Sequence, residues 1–272
     1  MTTVLDPPST IRSTSGALHR IRALAAAETR LLLRNRTAVV NSVLAPLLLV
    51  VAIRTFGAPD GAPAGAALLA TAIAVTLVFT TYYNLVTTFV ARREELVLQR
   101  MRTGELTDGE ILLGTATPSL LVSLVQVLVV LAGVAAVGEW SAPVDVILPV
   151  VATVGGALLM LLLAAVSTAF TRTAENAQIT TMPFVLATTS LSGLFFPLTA
   201  FPEQLAHVAR LLPLTPVVEL ARLGLAGRTW TGNAVDFAGA WAAAPFPIAA
   251  LAGWLIVAAV VARRVFRWAP RR

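Results

Sequence analysis

Charged side chains are concentrated in one short stretch of a chain that is otherwise 57% hydrophobic. Residues 91–110 contain four arginines and five acidic residues, and long apolar runs flank them. An anchor for anionic lipid is strongly basic, whereas four positive and five negative charges leave this stretch near minus one. The stretch also has a short apolar edge, made of Leu96, Val97, Leu98 and Met101. This combination suits another protein better than it suits lipid, but the loop alone favours a solvated hairpin with internal salt bridges over docking. Thr107 is placed to cap the helix that follows, with Asp108 and Glu110 in its first turn.

Polar side chains recur along three of the apolar runs at spacings of three, four or seven residues, which keeps each group on one side of a helix. They are Thr76, Thr80, Tyr83 and Thr87, then Ser119, Ser123 and Gln126, and then Gln178, Thr181, Thr188 and Ser192. Because lipid would leave these polar atoms without partners, we expect them to point inward. Hydrogen bonds between helices account for any single residue. Together the three groups could line a route for an amphiphilic substrate.

Residue types that carry enzymatic chemistry are scarce. The sequence has no cysteine, and its two histidines, His19 and His207, are far apart. An ion pair with Glu203, one helical turn earlier, accounts for His207. A proton-coupled transporter needs buried acids or histidines as relays, and none falls clearly within an apolar run. We predict no catalytic residue, no metal site and, without a basic stripe interleaved with aromatics, no nucleic-acid partner.

The composition predicts that these residues lie in a membrane protein. Over 272 residues the mean hydropathy is +0.82 and only 12% of the residues are charged. One helical span of the hydrocarbon core needs about 20 apolar residues. The pattern predicts an all-α protein with six membrane spans, at residues 38–56, 65–90, 110–137, 144–170, 177–197 and 238–262.

Arginines alternate between successive connections. They precede the first predicted span, follow the second and the fourth, and recur at the C-terminus. By the positive-inside rule, both termini and residues 91–110 are cytoplasmic. The loop from Leu198 to Phe237 opposes the rule, because it lies on the outer side yet carries Arg210, Arg222 and Arg228.

The segments outside the spans have characters of their own. Residues 1–15, rich in Ser, Thr and Pro, are typical of a disordered tail. Residues 16–36 combine leucines at helical spacing with arginines, which predicts an amphipathic helix on the membrane surface. A plain juxtamembrane extension is the alternative. Residues 37–272 are then the transmembrane domain.

Two short helices are predicted in the outer loop, residues 198–237. Pro202 lies near the start of the first and Pro213 ends it. For the second, Thr215 is placed to cap the helix, Glu219 lies in the first turn, and Gly224 or Gly227 ends it. We expect the pair to dip into the membrane rim or to cover a cavity mouth, with a position on the surface as the alternative.

One possible enzyme is an intramembrane protease. Glu94, Glu95 and Arg100 resemble the Glu-Glu-x-x-x-Arg motif of CAAX-type membrane proteases, with the arginine displaced by one residue. No histidine falls on another predicted span to complete such a site. The resemblance therefore stays a minor alternative.

The charged stretch resembles a different family more closely. The segment "RREELVLQRMRTGELTDGEILLG" is similar to the cytoplasmic loop between the second and third spans of ABC-2 (type-2) exporter permeases. The segments "LLLRNRTAVVNSVLAPLLLVVAI" and "SGLFFPLTAFPEQLAHVARLLPLTPVVELARLGLAG" resemble the family's first span and its external re-entrant helices. Two positions depart from the family pattern: Leu96 stands where a small residue is common, and Gly104-Glu105 replaces a frequent proline break.

The resemblance implies the type V ABC exporter fold and a role for each group of residues. A coupling helix would contact the ATPase through Arg92, Arg93, Glu94, Glu95, Leu98, Arg100, Met101 and Arg102. The translocation path would include Thr76, Thr80, Tyr83, Thr87, Ser123, Gln126, Thr181 and Thr188. An external gate would include Pro197, Pro213, Pro216, Glu219 and Arg222.

The resemblance also implies partners. The sequence has no lysine and no G-x-x-x-x-G-K-[ST] loop, so ATP and Mg²⁺ would be bound by a separate ABC ATPase subunit. A second permease copy, membrane lipid and an amphiphilic drug, natural product or lipid complete the expected partners, as in bacterial efflux permeases of the cell membrane. A membrane scaffold or sensor that binds another protein through residues 91–110 is the remaining alternative.

Overall fold

The structure is a computed structural model that describes residues 62–103, 106–194 and 198–269, together with the single positions Ala26 and Arg30. The predicted tail at residues 1–15 and the predicted first span at residues 38–56 lie outside these residues. Within the predicted interfacial helix, Ala26 and Arg30 are helical and exposed, and the other positions lie outside the described part.

The described chain is built from α-helices, one long π-helical segment and a short 3₁₀ helix, Leu198–Ala200. The α-helices are α1 (Ala64–Val75), α2 (Asn84–Glu94), α3 (Val97–Arg102), α4 (Asp108–Ala136), α5 (Ile147–Ser167), α6 (Ala177–Leu191), α7 (Glu203–Arg210), α8 (Thr215–Ala226), α9 (Phe237–Ala243) and α10 (Pro245–Val265). The π-helix, Thr76–Tyr83, joins α1 to α2 in one continuous helix from Ala64 to Glu94.

Four described helices are long and apolar enough to cross a membrane: Ala64–Glu94, α4, α5 and α10. They correspond to the second, third, fourth and sixth predicted spans. The fifth predicted span is shorter than expected, because α6 has 15 residues and ends at Leu191 rather than at residue 197. At 1.5 Å per residue α6 covers about 22 Å, less than the hydrocarbon thickness of about 30 Å.

The core of the bundle is made by α5, which packs against the continuous helix, α8 and α10. Small residues allow these close contacts. A Cβ at Gly156 of α5 would lie 2.7 Å from a methyl carbon of Leu77 and 3.1 Å from Val217. The packing therefore joins three elements at one point near the middle of α5.

The bundle has two ends that the chain visits alternately. At the Arg93 end, α2 finishes, α3 begins and α5 finishes. At the Asp145 end, α4 finishes and α5 begins, and the backbone N–H of Asp145 donates to the carbonyl of Gly224 in α8. We use these two names below.

Helices α7 and α8 form a hairpin that enters the bundle from the Asp145 end. The C-terminal part of α8 contacts the start of α5, where Gly224 meets Pro149, whereas Val217 near its other end meets Gly156. At the turn of the hairpin, the carbonyl of Leu211 accepts a hydrogen bond of 2.7 Å from the indole of Trp254 in α10. The hairpin therefore reaches about halfway along α5 and α10.

The ends of these two helices follow the sequence with one exception. Helix α7 begins just after Pro202, and α8 ends at Gly227, which has a left-handed backbone (φ 58°). The prediction that Thr215 caps α8 is wrong, because its hydroxyl donates instead to the carbonyl of Ala209 at 2.6 Å. That bond holds the two arms of the hairpin together.

Leu96 makes the break between α2 and α3. Its backbone is left-handed (φ 62°), a conformation in which an L-residue other than Gly, Asn or Asp is strained. A residue without a Cβ adopts this backbone freely, so glycine would fit this position better than leucine does.

We predict that Gly224→Ala destabilises the protein by about 1–3 kcal/mol, because the added Cβ would overlap the ring of Pro149. Gly253→Ala in α10 is the matched control, since a Cβ there meets nothing within 4 Å. Thermal unfolding in detergent should show a lower midpoint for Gly224→Ala only. Equal midpoints for the two variants would contradict the close approach of α8 to α5.

We predict that Leu96→Gly raises stability by about 1 kcal/mol, because it removes the strain of a left-handed leucine whose side chain is 40% exposed. Leu96→Ala keeps a Cβ and should give no such gain. The same thermal unfolding measurement separates the two. A gain for alanine as large as that for glycine would mean that the side chain, and not the backbone, is unfavourable.

Candidate functional site

The outer edge of α3 carries exposed charges at the Arg93 end. Arg100 and Arg102 are exposed, and the side chain of Glu95 is 61% exposed. Two of the charges are partly engaged: Arg92 lies 4.0 Å from Glu95, and Arg102 lies 3.3 Å from Asp108. These weak surface pairs leave the edge available to a partner protein.

The C-terminal segment lies beside this edge, which the sequence did not lead us to expect. The guanidinium of Arg102 lies 5.1 Å from the ring centre of Trp268. Phe266 in turn contacts both Trp268 and Phe89 of α2, with ring centres 4.8 and 6.0 Å apart. Pairing between positions so far apart in the chain has no local sequence signal.

Two residues predicted to contact the ATPase are buried within the chain itself. Leu98 is fully buried on the inner side of α3, and Arg93 is 1% exposed. The Arg93 guanidinium donates to the carbonyls of Thr168 (2.8 Å), Thr171 (2.6 Å) and Arg172 (3.1 Å). Both side chains therefore attach α2 and α3 to the bundle and do not face a partner.

The neighbouring acid makes a second attachment to the same turn. A carboxylate oxygen of Glu94 accepts a hydrogen bond of 3.1 Å from the backbone N–H of Ala174. This residue belongs to the turn between α5 and α6, residues 168–176. Glu95 points away from it into solvent, so the two adjacent acids differ in role.

The start of α4 is fixed by its own capping residues, as the sequence predicted. The backbone N–H of Glu110 donates to the hydroxyl of Thr107, and the Glu110 carboxylate accepts from the N–H of Thr107 at 2.6 Å. This reciprocal pair satisfies two backbone N–H groups at the helix start. The charged stretch is thus anchored on both sides of α3.

Hydrogen bonds across the π-helix join the spans in the middle of the bundle. The hydroxyl of Thr80 donates to Gln126 of α4 at 2.7 Å, and Thr81 and Ser123 share a bond of 2.7 Å. The next residue, Tyr82, shares a bond of 2.9 Å with Ser167 of α5. Thr81 and Tyr82 escaped the sequence pattern, because a π-helix breaks the α-helical spacing on which that pattern rests.

The residues predicted for a translocation path do not lie in one cavity. Thr76, Ser123, Gln126, Thr181 and Thr188 are buried. Thr87, Thr181 and Thr188 bond to carbonyls of their own helices. These bonds to their own helices satisfy the hydroxyl groups, as is common for threonines in membrane helices.

Two predicted residues, Tyr83 and Thr181, line an open pocket between the π-helix and α6. Its volume is about 180 Å³, and the lining residues are Phe79, Tyr83, Gln178, Thr181, Met182 and Val185. An aromatic ring, a thioether and an amide close together can contact a molecule with both apolar and polar parts. We call this the α6 pocket.

A larger groove of about 510 Å³ lies between α4 and α5 and differs in chemistry. Thr153 is its one hydroxyl residue, and the rest of its lining is apolar, including Leu124, Val150 and Trp140. Such a surface suits acyl chains and offers little to the polar part of an amphiphile. The α6 pocket is therefore the better candidate for substrate.

The predicted external gate contains a buried ion pair at the hairpin. Nε of Arg210 in α7 donates to Glu219 of α8 at 2.9 Å, and the guanidinium lies 4.5 Å from the ring centre of Trp230 and 4.1 Å from that of Phe246. Burial raises the pKa of Glu219 above its ordinary value. The hydrogen bond and charge of Arg210, together with the charge of Arg222, offset only part of this rise. Arg210 was not among the predicted gate residues.

The other predicted gate residues surround this pair. Pro213 and Pro216 are buried at the turn of the hairpin, and Arg222 donates to the carbonyl of Gly193 at 3.4 Å. Pro197 lies outside the described residues.

The protease alternative gains no support from this geometry. Glu94 bonds to the turn at the Arg93 end, whereas His207 lies on α7, in the hairpin that enters from the Asp145 end. A shared site for these groups would need them within hydrogen-bond reach of one substrate.

Comparison with known proteins agrees with this architecture. The sequence profile of the ABC-2 type transporter family matches residues 19–225, about three quarters of the chain. No curated protein gives a significant match. The match spans the charged stretch, the α6 pocket and the hairpin, and four described helices can cross a membrane. The chain therefore belongs to the ABC-2 type transporter family and is a multi-pass permease component of an ABC transporter.

Proposed function

We propose that the chain is the permease of an ATP-driven exporter, in which a separate ABC ATPase docks on the exposed edge of α3. The observation that carries this proposal is that the side chains of residues 92–102 face two ways. The outward charges stay available, whereas Arg93, Glu94 and Leu98 attach the segment to the bundle. A docking element must combine an open outer face with rigid inner contacts.

ATP hydrolysis is assigned to the partner, because the sequence contains no lysine and no phosphate-binding loop. The partner would hold ATP and Mg²⁺ with its own residues. Closure of two ATPases around nucleotide would then push or pull α3. The family to which the chain belongs implies such an ATPase partner.

Arginines support placing the Arg93 end in the cytoplasm. That end carries eight described arginines, namely Arg92, Arg93, Arg100, Arg102, Arg172, Arg263, Arg264 and Arg267. In the loop that opposes the rule, Arg210 is neutralised by Glu219. Both termini are cytoplasmic in this proposal, and the α7–α8 hairpin enters from the outer side.

A second copy of the permease is proposed to face the α6 pocket. Large apolar side chains of the π-helix and α6, the two elements that form this pocket, are exposed, including Phe79 (47%), Ile179 (76%) and Leu186 (57%). Two copies facing each other across this surface would turn an open pocket of each chain into a shared cavity. An amphiphilic drug, natural product or lipid could then pass between the protomers toward the hairpin.

The hairpin is proposed to close the outer exit of this route. The Arg210–Glu219 pair, held between Trp230 and Phe246, fixes α7 against α8 and α10. Breaking one partner of a buried pair leaves an uncompensated charge, so the closed hairpin is favoured until the helices around it move.

The first prediction of this proposal concerns docking. Arg100→Glu and Glu95→Arg, each made alone, should lower copurification of the ATPase and permease-dependent ATP turnover by about tenfold, since each puts a like charge against the partner. Glu203→Ala is the control, because Glu203 is exposed on α7 and pairs only weakly with His207 at 3.9 Å. Measurement of ATPase recovery and turnover in nanodiscs tests this.

Unchanged recovery in both reversal variants would contradict docking on α3. Recovery of a non-ATPase protein in place of an ATPase would favour the scaffold alternative.

The second prediction concerns the α6 pocket. Phe79→Ala should reduce transport of an amphiphilic fluorescent dye at least about fivefold, because an aromatic contact in a pocket contributes on the order of 1 kcal/mol or more. Phe170→Ala removes a phenylalanine that is 69% exposed just after α5 and should have little effect. Dye efflux from cells that produce the chain with its ATPase gives the comparison. Equal losses of dye efflux in the two variants would contradict a role of the α6 pocket in transport.

A further inference from the structure

We propose that Arg93 is a positioning residue that transmits movement of α3 to α6, and so to the α6 pocket. The inference rests on the proposed function in one respect, that α3 is where the ATPase acts. Its structural basis, the attachment of α2 to the turn between α5 and α6, does not depend on that role.

The bonds of Arg93 cover the first part of the turn. The guanidinium donates to Thr168, Thr171 and Arg172, whose carbonyls lie at the C-terminus of α5 and just beyond it. A helix C-terminus carries partial negative charge, and its last carbonyls have no partner within the helix. A buried cation at this place is stabilised by both effects, so the contact is stronger than bonds between neutral groups.

Glu94 extends the attachment to the second part of the turn, because its carboxylate accepts from the N–H of Ala174. Two consecutive residues of α2 therefore bind residues 168–172 and residue 174. The planar guanidinium is rigid compared with a lysine ammonium and fixes several bonds at once. The turn is thus held to α2 as one unit.

The connection from α3 to the pocket is short. Arg93 is four residues before Val97, where α3 begins, and Ala174 is three residues before Ala177, where α6 begins. Gln178 and Thr181 in the first turns of α6 line the α6 pocket. A rotation of α3 about Leu96 pulls on Arg93, and the turn carries that displacement to α6.

A residue with only a stabilising role would lower the melting temperature without changing how α3 and α6 are positioned relative to each other. The test is therefore a measurement of the distance between α3 and the turn between α5 and α6. Because the chain has no cysteine, Gln99→Cys on α3 and Glu175→Cys in the turn give two unique sites, both exposed, for spin labels. Double electron–electron resonance on the full chain in nanodiscs then reports the distance distribution.

We expect a single narrow peak with Arg93 present and loss of that peak in Arg93→Met, because the turn separates from α2. Arg93→Lys should restore part of it, since an ammonium can reach some of the carbonyls. Arg172→Met is the matched control: it removes an exposed arginine from the turn and keeps the carbonyl that Arg93 binds. An unchanged peak in Arg93→Met would overturn the proposal.

If Arg93→Met does not fold, Glu94→Leu replaces it. Glu94→Leu removes the acceptor for Ala174 and should broaden the peak, whereas Glu94→Gln keeps an acceptor oxygen and should not. Equal peaks for these two variants would overturn the proposal in the same way.

A final comparison separates this inference from the proposed function. The distance is measured between labels at Gln99→Cys of α3 and at the exposed position Ile179 of α6. With the copurified ATPase bound, addition of ATP and vanadate should shift this distance. Arg93→Lys should reduce the shift while the ATPase stays bound. If the chain with native Arg93 binds the ATPase but this distance does not change, the proposal that the ATPase acts through α3 is contradicted. A full shift in Arg93→Lys and Glu94→Leu alike contradicts transmission through Arg93.

Discussion

A buried guanidinium at the end of α5 is the interaction on which the Arg93 end depends. Removing a cation from water is costly, and Arg93 is stable there because three carbonyls at a helix C-terminus accept its hydrogen bonds. The same bonds leave the turn between α5 and α6 no freedom to move apart from α2. In the proposed mechanism, stability and transmission of movement would thus come from one set of contacts, and the exposed charges of Glu95 and Arg100 would recognise the partner.

The middle of the bundle follows a second constraint, which is to satisfy polar groups where lipid offers no partners. Thr80, Thr81 and Tyr82 meet it by bonding to α4 and α5 from three consecutive positions. Three consecutive side chains reach two neighbouring helices because the backbone is π-helical there. The same segment places Phe79 and Tyr83 at the α6 pocket, so the irregular helix both joins the spans and shapes the candidate substrate surface.

Local chemistry was readable in the sequence, whereas long-range pairing was not. Four helices long enough to cross a membrane follow from apolar length, and the α4 capping pair follows from Thr107 with Glu110. The two-helix hairpin follows from the spacing of Pro202, Pro213 and Gly227. The sequence placed Arg93 with its exposed neighbours in the surface that contacts the ATPase. Nothing within residues 91–110 shows that its guanidinium bonds to carbonyls some 75 residues later in the chain. The π-helix was equally hidden, and the length of α6 was overestimated because apolar residues continue past Leu191.

The most direct test of the central claim is a cryo-electron microscopy structure of the full chain with its copurified ATPase in nanodiscs. The account predicts that the ATPase contacts the outer edge of α3, near Glu95 and Arg100, while the Arg93 guanidinium remains on the carbonyls of the turn between α5 and α6. An ATPase bound at the Asp145 end, or one that contacts the Arg93 end without touching α3, would contradict it.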